Sequence, residues 1–573
     1  MEKKNFMLYY IKIIKKLFQV DFKYFFFMVV GDLLHALSYI ILMMMTEKFF
    51  DSISKNKSIR EIIIYAGFLL LSFLLLQLFN GLMKWPMLYK NPKVLESMYV
   101  DIQDKANKIK PIAYENPEFL NMLQKCRSEL ENGYLSVLLI MKVFTFYFPY
   151  FVFITIYLGC ISRKLTFLTI LCFVPVVLSQ LIKTKMKVRS DAKKVCLERK
   201  AEAFEKYLSS RDYFKETRVY GSFKYFYENL KQTLKKIELL NIKTENRSNV
   251  YRSIAECISI AGYVAIILIL IINVEKKIIK VSEFVAIIGG IDMMFSIANE
   301  VFGSVLNNVS EKISRIIFYL SFINEKKYDK SENKNIEKDK EIILENVSFK
   351  YPNCKEYILR NISLTIKPGE SIAIVGENGA GKSTLSKILL GIYEPSSGYI
   401  KNNIVKSAVF QDYQKYKTTV RDNIIISDNG NINPGKLEFL LDLFPIFKEK
   451  NAVDMRLSVE FGGIDLSGGQ WQSIALSRGQ YKSHEMIVLD EPTSAIDPIE
   501  ESKIYHQFRN ISKNVTSILI THRLGAAKIA DKIIVLRNGE ICDIGTHYDL
   551  LERCDYYKFI YNEQAQWYKI YNM

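Results

Sequence analysis

Long apolar runs near residues 22–46, 61–85, 137–160, 165–182, 255–273 and 282–305 alternate with basic stretches through the first part of the chain. Each approaches or exceeds the ~20 residues that a helical membrane span requires. Several carry isolated polar residues, which a bundle lining a cavity tolerates. One such run alone could be a buried core helix, but six in succession predict six spanning helices. Ahead of them, residues 5–20 set Phe6, Tyr9, Ile13 and Leu17, with Tyr10 and Ile14, against Lys12, Lys15 and Lys16. That pattern suits an amphipathic elbow helix on an anionic leaflet. No small-residue cleavage site follows the first apolar run, so it is expected to remain as an uncleaved span. At 326–340 the polar run KKYDKSENKNIEKDK contains one aliphatic residue, Ile336, and reads as a linker. From 341 onward short β-rich runs punctuated by glycine take over. The expected architecture is multi-domain: an all-α polytopic membrane domain over 1–325, then an α/β domain over 341–573.

Charge adds an orientation. Segment 183–254 carries 19 Lys and Arg and segment 89–136 carries 7, against 3, 2 and 3 in 49–60, 161–164 and 274–281. Basic segments stay inside, so both long arms and the Lys-rich N-terminus are expected in the cytoplasm. Topology and a general preference for Lys thus account for much of the net charge of 78 − 61 = +17, and no nucleic-acid partner is expected. At 49% hydrophobic and 13% aromatic residues, the chain is too apolar for a disordered basic tail. Its 8 cysteines show no C-x-x-C pair and its 5 histidines are dispersed, which argues against a disulfide frame or a zinc site.

The chemistry lies in the second half. The apolar run Ser371–Val375 leads into Gly376, Glu377, Asn378, Gly379, Ala380, Gly381, Lys382, Ser383 and Thr384, then a helical run. G-x-x-x-x-G-K-S between strand and helix is the setting of a P-loop, whose backbone N–H groups turn inward around phosphates. Lys382 is placed to reach the β- and γ-phosphates and Ser383 to bind Mg²⁺. Met486–Glu491 is a second apolar strand ending in two carboxylates: Asp490 for the metal, Glu491 as general base for an attacking water.

Leu466-Ser467-Gly468-Gly469-Gln470 then resembles the signature of ATP-binding cassette (ABC) proteins, ahead of the helix WQSIALSRGQ. A Ser and two Gly opening a helix make a second anion cradle. The resemblance implies that this cradle closes on ATP held by an opposite subunit. It further implies an adenine-stacking role for Tyr351, Mg²⁺ sensing and arm contact for Gln411, a dimer contact for Asp497 and a γ-phosphate switch role for His522. Six spans followed by one cassette resemble an ABC exporter half-transporter. Tyr114–Phe119, Lys215–Gly221, EFGGIDLSGGQWQ and VFQDYQKYKTTVRDNI resemble elements of the bacterial lantibiotic and peptide exporter subgroup. The stretch from Lys382 to Gln411 is shorter than the family pattern, which puts the small β-subdomain and coupling-helix docking in doubt rather than hydrolysis. No papain-like peptidase domain precedes the first run, so cleavage of a leader is expected to fall to another protein.

For cargo, Asp32 and His35 sit about ten residues, or ~15 Å, into the first span. Asp292, Ser296, Asn299 and Gly303 recur on one stripe of the sixth, with Glu300 beside them. Charges at that depth face a water-filled cavity or a partner. An anionic cavity for a cationic amphipathic peptide is one expectation; helix packing or an internal Asp32–His35 pair is the other. Together these features imply an ATP- and Mg²⁺-dependent exporter of the bacterial plasma membrane, working as a homodimer or with a paralogous chain, in contact with membrane lipid and an exported peptide. Lipid or drug export, and a nucleotide-gated regulator that hydrolyses little, are the alternatives.

Overall fold

The structure, a computed structural model, describes residues 6–210, 212–301, 305, 308–309, 312, 315–330, 341–444, 453–492 and 515–569. It divides into two units: Met1–Asn107 with Asn121–Glu325, and Lys108–Leu120 with Lys326–Met573.

The first unit is helical. Its elements are α1 (Phe6–Val20), α2 (Phe22–Ser54), α3 (Ile59–Asn107), α4 (Pro117–Ser128, whose first residues belong to the other unit), α5 (Leu130–Lys142), α6 (Phe148–Ile161), α7 (Arg163–Ser209), α8 (Phe214–Val219), α9 (Phe223–Glu275), α10 (Val281–Glu300) and α11 (Arg315–Asn324). Among the described residues, five stretches are long and apolar enough to cross a membrane: Phe22–Ser54, Ile59–Lys84, Leu130–Ile161, Phe223–Glu275 and Val281–Glu300. The run expected at 165–182 lies within α7, whose apolar stretch Thr166–Ser179 is shorter. Residues 302–304, at the end of the sixth expected span, and 331–340 of the expected linker lie outside the described residues. Helices α3, α7 and α9 outlast their apolar stretches because the Lys- and Glu-rich sequence beyond them is equally good helix former. At 53 residues, α9 is about 80 Å long.

Small residues let these helices approach closely. A side chain at Gly290 would collide with Met43 of α2, and one at Gly133 with the backbone of Arg315 and Ile316. The Ser259 hydroxyl donates to the Cys172 carbonyl at 2.9 Å, tying α9 to α7. Between α5 and α6 lies a π turn, Val143–Tyr147. Pro149 follows it with no N–H to give to the carbonyl four residues back, which accounts for the break in the α-helical ladder. The turn aims Phe146 and Tyr147 into a core built from Ala36, Ile40, Tyr150, Ile154, Ile266, Ile287 and their neighbours.

The second unit is α/β. Its strands are β1 (Ile342–Phe349), β2 (Leu359–Ile366), β3 (Ser371–Val375), β4 (Ser397–Lys401), β5 (Lys406–Val409), β6 (Met486–Asp490), β7 (Thr516–Ile520), β8 (Lys532–Arg537) and β9 (Glu540–Gly545). Its helices are α12 (Lys382–Leu389), α13 (Val420–Ile425), α14 (Pro434–Leu443), α15 (Gly468–Tyr481), α16 (Leu524–Ala527), α17 (His547–Arg553) and α18 (Asp555–Lys569). Six strands form one sheet in the order β5-β6-β7-β3-β8-β9, parallel except for β9. Strand β3 is central, with Ala373 opposite Leu519 of β7 and Ile533 of β8. Burial on both faces explains its unbroken apolar run, each fully buried Ile or Val stabilising by about 1.5–3 kcal/mol. A separate antiparallel sheet, β2-β1-β4, shows that the shortened stretch after Lys382 still supplies the third strand of a small β-subdomain.

Lys108–Leu120 packs within this unit, and the expected coupling segment Tyr114–Phe119 lies inside it. Backbone bonds join Lys110 N–H to the Tyr328 carbonyl (2.7 Å) and Lys330 N–H to that of Lys108 (2.8 Å). Lys110 pairs with Glu394 at 2.7 Å, and the Tyr393 hydroxyl donates to the Glu115 carboxylate. Burial, and next that carboxylate, hold the Tyr393 hydroxyl above its ordinary range.

Candidate functional site

Parallel strands deliver the chemistry to one edge. The loop from Gly376 follows β3, Asp490 ends β6 with Glu491 next, and His522 follows β7; these three strands are neighbours. Loops at their carboxyl ends therefore converge, as sites on open α/β sheets do. They enclose an open cavity of about 700 Å³, lined by most of the loop from Gly376 to Thr384, by Gln411, Glu491 and His522, and by Ile358, Leu524, Ile560 and Gln564.

The loop's conformation depends on glycine at two points. Gly381 takes φ +99° immediately before α12, and at Gly376 a Cβ would run into the Leu536 carbonyl. Ala380 instead packs its methyl in the core beneath. The buried Lys382 side chain turns back over the loop, donating to the Gly376 and Glu377 carbonyls at 2.9 Å each. Burial keeps its ammonium below the ordinary range, against the opposing pull of Glu491 and Asp490. Thr384 accepts or donates across 3.3 Å to the Tyr351 hydroxyl, while Tyr351 meets Phe349 and Tyr393 edge-on. Tyr351 stands behind the loop rather than among the residues that line the cavity.

Glu491 is held from three sides. Its backbone is in the left-handed region, φ +46°, fixed by a 3.0 Å bond from its N–H to the Ile520 carbonyl. Such strain in a non-glycine residue persists where surroundings over-determine it, and clusters at functional positions. The Gln411 amide donates to Oε2 at 2.8 Å, and His522 Nδ1 lies 3.0 Å from Oε1. A carboxylate only accepts, so Nδ1 carries the hydrogen and Nε2 is left for another partner.

Asp490 is buried, which pushes its carboxyl up despite a hydrogen bond with Ser383. Its Oδ1 has no hydrogen-bond partner among the described residues. An orphaned buried carboxylate oxygen beside a serine hydroxyl, with the Gln411 amide on the same cavity, is a hard-oxygen set that fits Mg²⁺.

The second cradle is built differently. Ser467 caps α15 in a reciprocal box: its hydroxyl accepts from Gln470 N–H at 3.3 Å, and the Gln470 carboxamide accepts from Ser467 N–H at 2.9 Å. Tyr413 donates to the Gly468 carbonyl at 3.0 Å, and Gly469 follows in the first turn of α15. Ser467 and Gly468 are exposed and, with Gly469 and Gln470, lie outside the cavity lining. Asp497 lies outside the described residues.

Residues 359–494 match the model of the ABC transporter family. They form an ABC transporter domain. Over 235 residues the chain is 40% identical to the nisin transport ATP-binding protein of Lactococcus lactis subsp. lactis, covering 38% of this chain and 39% of that one. It is 39% identical over 236 residues to the subtilin transport ATP-binding protein of Bacillus subtilis, covering 38% of each. The matched stretch thus spans less than two fifths of these relatives' length. The fold extends further. A bacterial Atm1-family ABC exporter solved with ATP bound superposes with a TM-score of 0.76 at 19% identity, covering 95% of this chain and 98% of that one. The chain therefore has the fold of an ABC exporter half: a helical membrane region and an α/β ABC domain.

The five residues expected to line a cargo cavity differ in their exposure. Asp32 and His35 are buried in the first unit, whereas Asp292, Ser296 and Asn299 are exposed along one side of α10. The alternative of an internal Asp32–His35 pair is corrected by their partners. Asp32 accepts from the Thr145 hydroxyl at 2.5 Å, and the His35 ring stacks on Phe146 at 4.7 Å. Gly303 lies outside the described residues. Two further membrane-depth contacts escaped the sequence reading: Tyr147 donates to Glu300 (2.7 Å) and Tyr157 to Glu47 (2.8 Å). In the ABC domain the sequence missed Ile358, Leu524, Ile560 and Gln564, which belong to no motif.

Proposed function

We propose that the chain is one half of a dimeric, ATP-driven exporter in a bacterial plasma membrane, and that its cargo is a cationic amphipathic peptide. The observation that carries the hydrolytic part is Glu491, held in a strained backbone between Gln411 and His522 at the mouth of a glycine-rich phosphate cradle. Two copies are required because the exposed Ser467 cradle takes no part in its own chain's cavity and is free to close on that of a second copy. Membrane-length helices in the same chain supply the path. Peptide cargo is supported by the nisin and subtilin transport relatives and by the carboxylates Asp32, Glu47, Asp292 and Glu300 on membrane helices.

In the reaction, Lys382 leaves its own loop carbonyls for the β- and γ-phosphate oxygens, and the loop N–H groups hold the rest of the chain of phosphates. Glu491 accepts a proton from water as its oxygen bonds to the γ-phosphorus and the bond to the β–γ bridging oxygen breaks. His522 orients Glu491 through Nδ1, and Ser467 of the second copy donates to the γ-phosphate. Ser383, Asp490 and Gln411 would hold Mg²⁺, which neutralises phosphate charge when bound. Purified protein in lipid nanodiscs, assayed for ATPase against Glu491→Gln, tests this. Stimulation by cationic peptides supports the proposal, and stimulation by hydrophobic amines alone moves the cargo to drugs or lipid. A wild-type rate no higher than that of Glu491→Gln overturns the hydrolytic reading.

A further inference from the structure

The half-exposed His522 ring is too loosely packed for its surroundings alone to aim it. Among the described residues its side chain hydrogen-bonds to the Glu491 carboxylate alone, so its aim depends on the backbone that carries it. That backbone is held by one side chain from far along the chain. The Gln564 amide donates to the His522 carbonyl at 2.5 Å, and its own carbonyl accepts from Leu524 N–H at 3.0 Å. A main-chain carbonyl can only accept and a main-chain N–H can only donate, so the two bonds fix the orientation of the amide and demand both of its functions. Within the turn, Arg523 N–H also donates to the Thr521 hydroxyl at 3.0 Å. The three residues after Thr521 are thus pinned from both ends.

The helix that brings Gln564 is itself anchored. In α18, Tyr557 is fully buried among Ala373, Val535 and Leu550, and its hydroxyl meets His547 Nδ1 at 2.8 Å. Tyr561, one turn on, receives a 2.8 Å bond from Lys528 at the end of α16. Ile560 and Gln564, four residues apart, share a helix face, and both line the phosphate cavity.

We propose that Gln564 is a positioning residue for ATP hydrolysis. It clamps the His522 turn from α18 so that the imidazole meets Glu491. This rests on the hydrolytic reading above. Gln564 acts through His522 and touches no reacting atom, so its loss acts on turnover rather than on nucleotide binding.

The test uses the full chain in nanodiscs, with Gln564→Met, which keeps length and helix propensity but makes neither bond, and Gln564→Glu, which loses the donor. For Gln564→Met, kcat is expected to fall about tenfold, a share of the roughly 10²–10⁴-fold that a positioned proton-transfer group contributes. The KM for ATP should stay within about twofold of wild type, the split expected of an interaction that acts only in the transition state. Gln564→Glu should show the same direction. Unchanged kcat in both variants, or a KM that rises as far as kcat falls, overturns the assignment while leaving hydrolysis itself standing. A wild-type rate equal to that of Glu491→Gln overturns the hydrolytic reading instead, and the assignment with it.

Discussion

Two helices of the ABC domain, α12 and α15, begin among glycine and serine, and their N-termini are finished to different degrees. At α12 the glycine loop already faces a cavity, with Lys382 folded onto its own carbonyls and Glu491 bracketed by Gln411 and His522. At α15 the Ser467 hydroxyl caps its own helix, and Ser467 and Gly468 are exposed and lie outside the lining of that cavity. Both share the physics of a helix N-terminus, whose first N–H groups lie outside the helix's own ladder and whose dipole favours anions. What separates them is their surroundings: the ends of β6 and β7 bring Asp490, Glu491 and His522 to the first, whose cavity the second does not line. A capped, solvent-facing cradle has a use when a second chain brings it a ligand.

Changes at the equipped cradle have the largest expected effects. Glu491→Gln keeps shape and the Gln411 contact but removes the base, so kcat should fall by roughly 10²–10⁴-fold with ATP still bound. A drop below about tenfold in an ATPase assay contradicts the role of Glu491. Next is the exposed cradle: Ser467→Arg fills it, and kcat should fall at least about tenfold, on the scale of removing one donor to transferring phosphate. ATP affinity by equilibrium binding should move little, because Ser467 is absent from the cavity of its own chain. If affinity falls in step with kcat, the two cradles belong to one chain's site after all.

A smaller effect is expected behind the loop. Tyr351→Leu removes an aromatic face and the hydroxyl contact to Thr384, and should raise the ATP KM about threefold to tenfold, the size of one aromatic contact. GTP competition then reports whether purine stacking is the cause. Smallest is Gln470→Ala, which takes away half of the capping box and should cost about 1 kcal/mol of domain stability by denaturant melting. A loss of several times that size would mean that the box braces more than its own helix.

Legibility in the sequence follows the same division. The first cradle is contiguous, and contiguous motifs such as Gly376–Thr384 or Leu466–Gln470 can be read because one turn of chain does the work. Asp490 and Glu491 were legible because a buried strand must be apolar up to the point where it meets the site. Gln564 was invisible: it lies 42 residues from His522, in a helix whose sequence differs in no obvious way from any surface helix. In the membrane region the apolar runs located the helices, but not their polar partners. Asp32 suggested His35, three residues away, yet it bonds Thr145, 113 residues on, because the π turn before Pro149 presents that hydroxyl to it.

The central claim is that each hydrolytic site takes its P-loop from one chain and its Ser467 cradle from another. Co-expression of two differently tagged variants, Lys382→Ala and Ser467→Arg, tests it most directly after tandem purification of the mixed dimer in nanodiscs. Each variant alone should turn over at least about tenfold more slowly than wild type. The mixed dimer should recover part of the wild-type ATPase rate, since one site then combines an intact P-loop with an intact Ser467. A mixed dimer as slow as its parents, or a Ser467→Arg protein as active as wild type, would contradict the account.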